Sequence, residues 1–206
     1  MSHSVVIYLA TNNAHKVGEI MLSLELLGVE CIRFESAAAI GGMPEVDETG
    51  TTLLENARIK AKALASKAPD VWVCADDTGL FVDALGGAPG VHTARYAGVN
   101  ADSRSNNDKL LAALASVPVN MRTARFVCCL CLISPEGREY VFEGVFNGCI
   151  ASNCAGGAGF GYDPVFIPEG HDCSVAELDE SVKNRISHRA LAVKKLVESL
   201  CDPNAA

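Results

Sequence analysis

The sequence contains no apolar run long enough to cross a membrane and no excess of positive charge. A membrane-spanning helix needs about 20 apolar residues, and the first apolar run, residues 5–10, is far shorter. That run is also too short for a signal peptide, so we expect neither membrane insertion nor export. The formal net charge is −8, which argues against a nucleic-acid partner. A phosphate site must therefore be a local basic patch, assisted by a divalent cation.

The nine cysteines lack the spacing of a zinc site, and their odd number cannot pair completely within one chain. Cys128, Cys129 and Cys131 lie in an apolar stretch without a second ligand pair. We therefore predict small buried side chains in a reducing compartment, and hence a cytoplasmic protein. The alternative is a redox sensor, because Cys128 and Cys131 form a Cys-x-x-Cys pair. On a strand, however, residues three apart point to opposite faces.

The order of hydrophobic patterns predicts an α/β fold with a mixed sheet. Strands are expected at residues 5–10, 29–34, 71–75, 125–133 and 140–150, the last two as a hairpin around a Ser-Pro-Glu-Gly turn. Helices are expected after Lys16, from Thr52, over 102–117 and from about Ser187. The second helix opens with a capping box, Thr52 followed by Glu55. No repeat or linker divides the chain, so we expect one domain, residues 1–206.

The first candidate functional segment joins the first strand to the first helix. It reads Thr11-Asn12-Asn13-Ala14-His15-Lys16. Backbone N–H groups at a helix N-terminus attract phosphate, and Lys16 adds a positive charge. The segment is not a Walker A loop, because the glycines and the Lys-Ser/Thr ending are absent. The plainer interpretation is that Thr11 or Asn12 only caps the helix.

The second segment is Asp76-Asp77-Thr78-Gly79, at the expected end of an apolar strand. Adjacent carboxylates repel each other, and a divalent cation relieves that repulsion. Mg²⁺ prefers one or two carboxylates together with water and substrate phosphates. A preceding loop offers a further ligand from Glu45, Asp47 or Glu48. The alternative is a solvated Asp-Asp turn capped by Thr78.

The third segment is the glycine-rich run from Gly156 to Pro164. Glycine permits close backbone approach to a flat ligand, and Phe160 or Tyr162 could stack on a base. The alternative is a structural turn with an aromatic side chain in the core.

The fourth segment opens the last helix with Ser187, His188 and Arg189, preceded by Lys183. Cationic side chains at a helix N-terminus oppose the helix dipole, which makes sense if an anion or an oxygen-rich base binds there. An isolated histidine is more often structural, so this segment alone is a weak signal.

Taken together, these segments resemble the inosine triphosphate pyrophosphatase family over residues 5–200. The resemblance rests on these runs in this order: Thr11-Asn12-Asn13 with Lys16, Glu48-Thr49-Gly50, Glu55-Asn56-Ala57 with Lys60, Ala75-Asp76-Asp77-Thr78-Gly79-Leu80, Leu85-Gly86-Gly87-Ala88-Pro89-Gly90, Ala94-Arg95-Tyr96, Gly159-Phe160-Gly161-Tyr162-Asp163-Pro164 and Ser187-His188-Arg189. Each run is weak alone, whereas their order and spacing are specific. Asn12 and His15 stand where many relatives have glycine, and Thr78 where serine is frequent.

The resemblance implies an elongated mixed β-sheet flanked by helices, with two lobes around a central active-site cleft, usually in a homodimer. It implies Mg²⁺-dependent hydrolysis of ITP, dITP and XTP to the monophosphate and pyrophosphate, with Mn²⁺ as a substitute. Asp77 would accept the proton and bind metal together with Glu48, while Asp76 and Lys16 support catalysis. The remaining substrate-binding positions would be Thr11, Asn12, Asn13, Ala14, His15 and Lys16 for the phosphates, Lys60 as an added charge, Thr78, and Phe160, Gly161, Tyr162, Asp163, Lys183, His188 and Arg189 for base and sugar.

Two alternatives remain open. A Maf-like nucleotide pyrophosphatase would favour modified pyrimidines or 7-methyl-GTP, and the Ser-His-Arg and Phe-Gly-Tyr-Asp runs argue against it. A purine nucleotide sensor without catalysis would not need a water-activating carboxylate such as Asp77.

Overall fold

The structure is a computed structural model that describes residues 4–157 and 159–201. Its strands are β1 (Val5–Leu9), β2 (Ile32–Ser36), β3 (Trp72–Val82), β4 (Pro89–Gly90), β5 (Thr123–Ile133), β6 (Glu139–Ile150) and β7 (Phe166–Pro168). Its α-helices are α1 (Ala14–Leu26), α2 (Leu53–Lys67), α3 (Ser103–Ala113), α4 (Glu180–Ile186) and α5 (His188–Cys201). Short 3₁₀ turns lie at Ala37–Ile40, Asp83–Leu85, Thr93–Arg95, Val119–Met121 and Val175–Glu177.

The strands form one mixed sheet in the order β2-β1-β3-β5-β6-β7, with β4 paired to β3. β1 is parallel to both β2 and β3, whereas β4 is antiparallel to β3 and β7 is antiparallel to β6. The prediction of an α/β fold with a mixed sheet is confirmed. In the described part of the chain, no helix is long and apolar enough to cross a membrane.

The chain divides into two compact units. Unit 1 comprises the residues up to 77, residues 128–144 and the residues from 187 onward, and unit 2 comprises residues 78–127 and 145–186. Among the residues that the structure describes, unit 2 has one hydrophobic cluster, built around Leu80, Leu110 and Phe166. Unit 1 has two clusters, and the strands feed them alternately: Cys74 belongs to one cluster, while Val73 and Ala75 belong to the other. This alternation places the two clusters on opposite faces of the sheet.

The cysteines follow the same alternation. Cys128 belongs to the first cluster of unit 1 and Cys131 to the second, and both are fully buried. All nine cysteines are free thiols. Burial raises the pKa of the Cys131 thiol to about 12, because the apolar core disfavours the thiolate. The Cys-x-x-Cys pair points to opposite faces as expected. The prediction of small buried side chains is confirmed for Cys74, Cys128, Cys129 and Cys131, but it is wrong for the exposed Cys31, Cys154 and Cys201.

The prediction that a strand ends at Asp76-Asp77 is wrong. β3 continues to Val82, so both carboxylates lie in the middle of a strand. The continuation is apolar and paired, since Leu80 lies opposite Gly90 and Phe81 opposite Pro89 of β4. A strand tolerates two buried carboxylates only if each has charged or hydrogen-bonding partners.

Other boundaries also differ from the sequence prediction. β2 starts at Ile32 because it pairs with β1 from Val5 onward, and α1 starts at Ala14, two residues before Lys16. The short helix α4 was not predicted. The hairpin is confirmed: the Gly137 amide donates to the Ser134 carbonyl over 2.9 Å.

Helix α5 packs closely against β6 at Gly144, and this contact gives the first testable prediction. A methyl group at Gly144 would overlap the His188 carbonyl oxygen and lie 2.5 Å from the Ala192 amide nitrogen. Overpacking of this kind costs about 1–3 kcal/mol, so Gly144→Ala is expected to lower the free energy of unfolding in urea titrations by that amount or more.

The matched control is Gly18→Ala in α1, where no described atom lies within 4 Å of the added methyl group. Alanine is favoured over glycine inside a helix by about 0.5–1 kcal/mol, so this variant is expected to be slightly more stable. Equal stability of the two variants would contradict the close packing of α5 on Gly144.

Candidate active site

Helix α2 is placed by its N-terminal capping box. The Thr52 hydroxyl oxygen accepts from the Glu55 amide, and the Glu55 carboxylate accepts from the Thr52 amide, both over 3.1 Å. The box confirms the sequence prediction and starts α2 at Leu53. With the helix phase set in this way, Asn56 and Lys60 lie one turn apart on one helix face.

Both side chains reach Asp77 in β3. The Lys60 ammonium donates to Oδ1 of Asp77 over 3.0 Å, and the Asn56 amide donates to Oδ2 over 3.3 Å. Burial raises the pKa of the Asp77 carboxyl above its ordinary value, although Lys60 and Lys16 oppose this shift. Asp77 is therefore a buried carboxylate with a defined donor on each oxygen.

Lys60 also links Asp77 to the preceding acidic loop. Its ammonium lies 3.4 Å from a carboxylate oxygen of Glu48, and the side chain is buried. Burial favours the neutral amine, but Asp77, Asp76 and Glu48 outweigh burial and raise the pKa of Lys60. Lys60 thus stays charged, and its ammonium holds the Glu48 and Asp77 carboxylates close to each other.

Asp76 points to the opposite face of β3 and has different partners. Its Oδ2 lies 2.8 Å from the Lys16 ammonium and 3.5 Å from Nε of Arg189. Burial works against ionisation, but Lys16, Arg189 and Lys60 outweigh it and hold the pKa of Asp76 well below its ordinary value. Adjacent carboxylates of one strand are thus separated by the pleat, and each is compensated by its own lysine.

Arg189 extends the network on the Asp76 side. Its guanidinium is 3% exposed and lies 2.5 Å from a carboxylate oxygen of Glu19, in the second turn of α1. Burial alone would favour the neutral form, but Asp76 and Glu19 raise the pKa of Arg189. The start of α5 is therefore tied to α1 and β3 by a buried chain of charges. His188, which begins α5, is also buried.

The first candidate segment combines a helix cap with a lysine aimed at β3. The plainer interpretation, that Thr11 or Asn12 caps the helix, is wrong. The N-cap is Asn13, because its side-chain oxygen accepts from the amides of His15 and Lys16. Thr11 supports the turn by accepting from the Asn13 amide over 3.1 Å. The Asn12 and Ala14 side chains are exposed.

A second polar group lies in unit 2 and contains most of the third candidate segment. Oδ2 of Asp163 accepts from the Phe160 amide over 2.8 Å and from the Lys183 ammonium over 2.7 Å. The same ammonium lies 5.0 Å from the centre of the half-buried Phe160 ring. Gly161 is fixed beside this group, because its carbonyl accepts from the side-chain amide of Asn107 over 3.0 Å. Ala158 lies outside the described residues.

The two aromatic residues of this segment have different roles. The Tyr162 ring is buried in the core of unit 2, and its hydroxyl donates to the Thr93 carbonyl over 3.0 Å. A stacking role for the Tyr162 ring is therefore excluded, and Phe160 is left as the aromatic surface. Gly159 is needed for the turn, since its φ is +79° and a side chain there would strike the Asp163 carboxylate.

The donor set around Asp77 suits a hard divalent cation. Among residues 4–157 and 159–201, no group of three or more His, Cys, Asp and Glu side chains is arranged to hold a metal ion. Glu48 and Asp77 instead supply two carboxylates around Lys60. Glu45, Asp47 and Glu48 are all exposed, and it is the contact with Lys60 that places Glu48 beside Asp77. Mg²⁺ fits such a sparse site because it keeps water and substrate phosphates as its other ligands.

Sequence reasoning missed Glu19 of this network and gave no role to Asn56, although Asn56 lies in one of the runs that carry the family resemblance. Glu19 lies one turn beyond Lys16 in α1, and Asn56 lies one turn before Lys60 in α2. The available signal was a polar residue at helical spacing from a candidate lysine. Thr78 continues β3 directly after Asp77 and is half-buried.

Several known proteins resemble this chain over nearly its whole length. The model of the Ham1 family matches residues 7–199. The dITP/XTP pyrophosphatase of Opitutus terrae is 49% identical over 196 residues, which cover 93% of this chain and 97% of that protein. The dITP/XTP pyrophosphatase of Porphyromonas gingivalis is 50% identical over 191 residues, covering 93% and 95%.

Solved structures give the same result for the fold. A HAM1 protein from Coxiella burnetii superposes with a TM-score of 0.84 at 38% identity, covering 95% of this chain and 98% of that one. The dITP/XTP pyrophosphatase from Mycobacterium abscessus gives a TM-score of 0.74 at 40% identity, covering 95% and 100%. The likeness thus extends over nearly the whole length of both chains.

Proposed function

Because this chain belongs to the Ham1 family, we propose that it hydrolyses non-standard purine nucleoside triphosphates, such as dITP, ITP and XTP, to the monophosphate and pyrophosphate. It is a nucleoside triphosphate pyrophosphatase of the hydrolase class that serves nucleotide metabolism. The observation that supports this most is the buried pairing of Asp77 with Lys60 and of Asp76 with Lys16. A protein that only bound nucleotide would have no need for a carboxylate held in this way.

The residues of unit 1 suit attack of water at the α-phosphorus, which is the attack that releases pyrophosphate. In our proposal, Asp77 orients the water and accepts its proton. Lys16 and Lys60 lie around the two carboxylates and oppose the negative charge that moves onto the leaving pyrophosphate. Asp76 holds the Lys16 ammonium over 2.8 Å, so its role is to place that charge.

Glu48 and Asp77 are the residues that would hold Mg²⁺, with Mn²⁺ as a substitute. When bound, the ion supplies a Lewis acid that neutralises phosphate charge. The same two carboxylates lie around Lys60, so a cation and Lys60 would share the compensation of their charge.

We assign the base to Phe160, Asp163 and Lys183, with His188 and Arg189 contributing as the family resemblance implies. The Phe160 ring offers a stacking surface, and the Lys183 ammonium beside it is a donor suited to the 6-oxo group of hypoxanthine or xanthine. Adenine has an amino group there, and leaving a buried donor unpaired costs about 1–3 kcal/mol. Exclusion of guanine must depend on its 2-amino group.

Product analysis tests the proposed function. Purified protein is incubated with dITP, XTP, ITP, GTP and ATP, with and without Mg²⁺, and pyrophosphate is separated from orthophosphate. We expect monophosphate and pyrophosphate, dependent on Mg²⁺, with turnover of dITP and XTP far above that of GTP and ATP. Release of orthophosphate would move the attack to the γ-phosphorus and overturn the assignment.

We further propose that residues 1–206 act as one two-lobed domain, that the protein is a homodimer and that it works in the cytoplasm. The family resemblance supports the first two, and the nine free thiols support a reducing compartment. Because the net charge is −8, we expect the protein to bind neither nucleic acid nor a membrane. Light scattering after size-exclusion chromatography tests the dimer, and a monomeric mass would contradict it.

A further inference from the structure

Asn56 is a fully buried amide inside the apolar stripe of α2. Only 1% of its surface is exposed, and its neighbours in the helix include the buried residues Leu53, Ala57 and Ala61. A buried side-chain amide is costly unless both its oxygen and its nitrogen are hydrogen-bonded. The contacts of Asn56 therefore indicate what this position is used for.

The amide joins two segments that are distant in sequence. Its oxygen accepts from the Gly50 backbone amide over 2.8 Å, and its nitrogen donates to Oδ2 of Asp77 over 3.3 Å. These partners also fix the orientation of the amide, because Gly50 requires an acceptor and the Asp77 carboxylate requires a donor. Aspartate lacks the donor, and alanine lacks both groups.

The loop that contains Glu48 is anchored at its end by this contact. A methyl group at Gly50 would lie 2.6 Å from Oδ1 of Asn56 and 2.7 Å from Cβ of Glu55, so the backbone lies directly against α2. The next two amides, of Thr51 and Thr52, donate to the Glu55 carboxylate. Three successive amides are thus fixed to the first turns of α2, starting two residues after Glu48.

Lys60 connects the same two segments through charge. It contacts Oδ1 of Asp77 and the carboxylate of Glu48, whereas Asn56 contacts Oδ2 of Asp77 and the backbone of Gly50. Asn56, which is neutral, and Lys60, which is charged, therefore both connect Asp77 to the segment 48–50, and both project from the same face of α2. Because Asn56 carries no charge, removing it leaves the charge balance around Asp77 unchanged.

We propose that Asn56 is a positioning residue for the reaction: it fixes the Asp77 carboxylate and the Glu48 loop relative to each other. The inference rests on the proposed pyrophosphatase function. Misplacement of a reacting group by about 1 Å can lower the rate about 10²-fold. Loss of Asn56 should therefore lower kcat for dITP by about that factor, while KM changes little, since Asn56 is assigned no contact with the nucleotide.

Two variants separate the two contacts of the amide. Asn56→Ala removes both, so kcat should fall and the Gly50 amide should lose protection from hydrogen exchange in NMR spectra of the full chain. Asn56→Asp keeps an acceptor for Gly50 but places a carboxylate against Asp77. We expect it to keep Gly50 protection and to lose at least as much kcat as Asn56→Ala.

Asn106 in α3 provides the matched control. It is also buried, accepts from the Ala97 amide over 2.8 Å and donates to the Ala94 carbonyl over 3.2 Å. Asn106→Ala should lower the thermal midpoint as Asn56→Ala does, with kcat per folded molecule retained. If the Asn56 variants lower only the thermal midpoint and keep kcat, Asn56 is merely structural and the inference is overturned.

The same experiments distinguish failure of this inference from failure of the proposed function. A wild-type chain that hydrolyses neither dITP nor XTP would contradict the proposed function, whereas the Gly50 exchange data would still report whether Asn56 makes the bridge. An active wild type, together with Asn56 variants of unchanged kcat, would overturn the positioning role alone.

Discussion

Asp77→Asn is expected to lower kcat for dITP by about 10²–10⁴-fold, the range in which a general base contributes to catalysis. The amide has nearly the same shape as the carboxylate but cannot accept the proton of the attacking water. Because burial raises the pKa of Asp77, the folded metal-free chain disfavours the ionised carboxyl. Asparagine resembles the neutral carboxyl but takes from the buried Lys60 ammonium its partner at 3.0 Å, so the thermal midpoint is measured as well and kcat is expressed per folded molecule.

The measurements are steady-state kinetics with dITP and nucleotide binding by calorimetry. Binding should stay within about tenfold of the wild type, which corresponds to 1.4 kcal/mol. Asp83→Asn is the control, because Asp83 follows β3 directly and forms an exposed ion pair with Arg125. Its loss should leave kcat unchanged. Full activity of Asp77→Asn would show that another group activates the water.

The parts of the site that sequence could predict are those set by local patterns. The capping-box residues Thr52 and Glu55 predict the start of α2. The Asp76-Asp77 pair and Lys16 stand out because each follows closely after an apolar run. Period-two alternation also predicts that Asp76 and Asp77 face opposite sides of a strand, once the strand is known to continue. What misled the prediction was the assumption that charge ends a strand.

The parts that sequence could not predict depend on which segments become neighbours. Glu19 meets Arg189 across 170 positions of sequence, and Asn56 meets Asp77 across 21. Both contacts follow from the sheet order, which places β3 between β1 and β5. Helices α1, α2 and α5 all contribute to the hydrophobic clusters that include β3 residues. Hydrophobic periodicity indicates which face of a helix is buried, but it does not indicate which strand that face covers.

Lys60→Met is expected to show how strongly the carboxylates depend on a cation. Methionine fills similar space but leaves Asp77 and Glu48 without the ammonium that lies 3.0 and 3.4 Å from them. Removing one partner of a buried ion pair costs about 3–5 kcal/mol. In metal-free buffer, the free energy of unfolding measured by urea titration should fall by that order.

The response to Mg²⁺ decides whether these two carboxylates form a cation site. Without the ammonium, a divalent ion meets two uncompensated carboxylates, so Mg²⁺ should raise the thermal midpoint of Lys60→Met more than that of the wild type. Lys62→Met is the control, because Lys62 is an exposed lysine on the same helix and should change neither stability nor the Mg²⁺ response. If Mg²⁺ stabilises Lys60→Met no more than the wild type, Glu48 and Asp77 do not hold the ion.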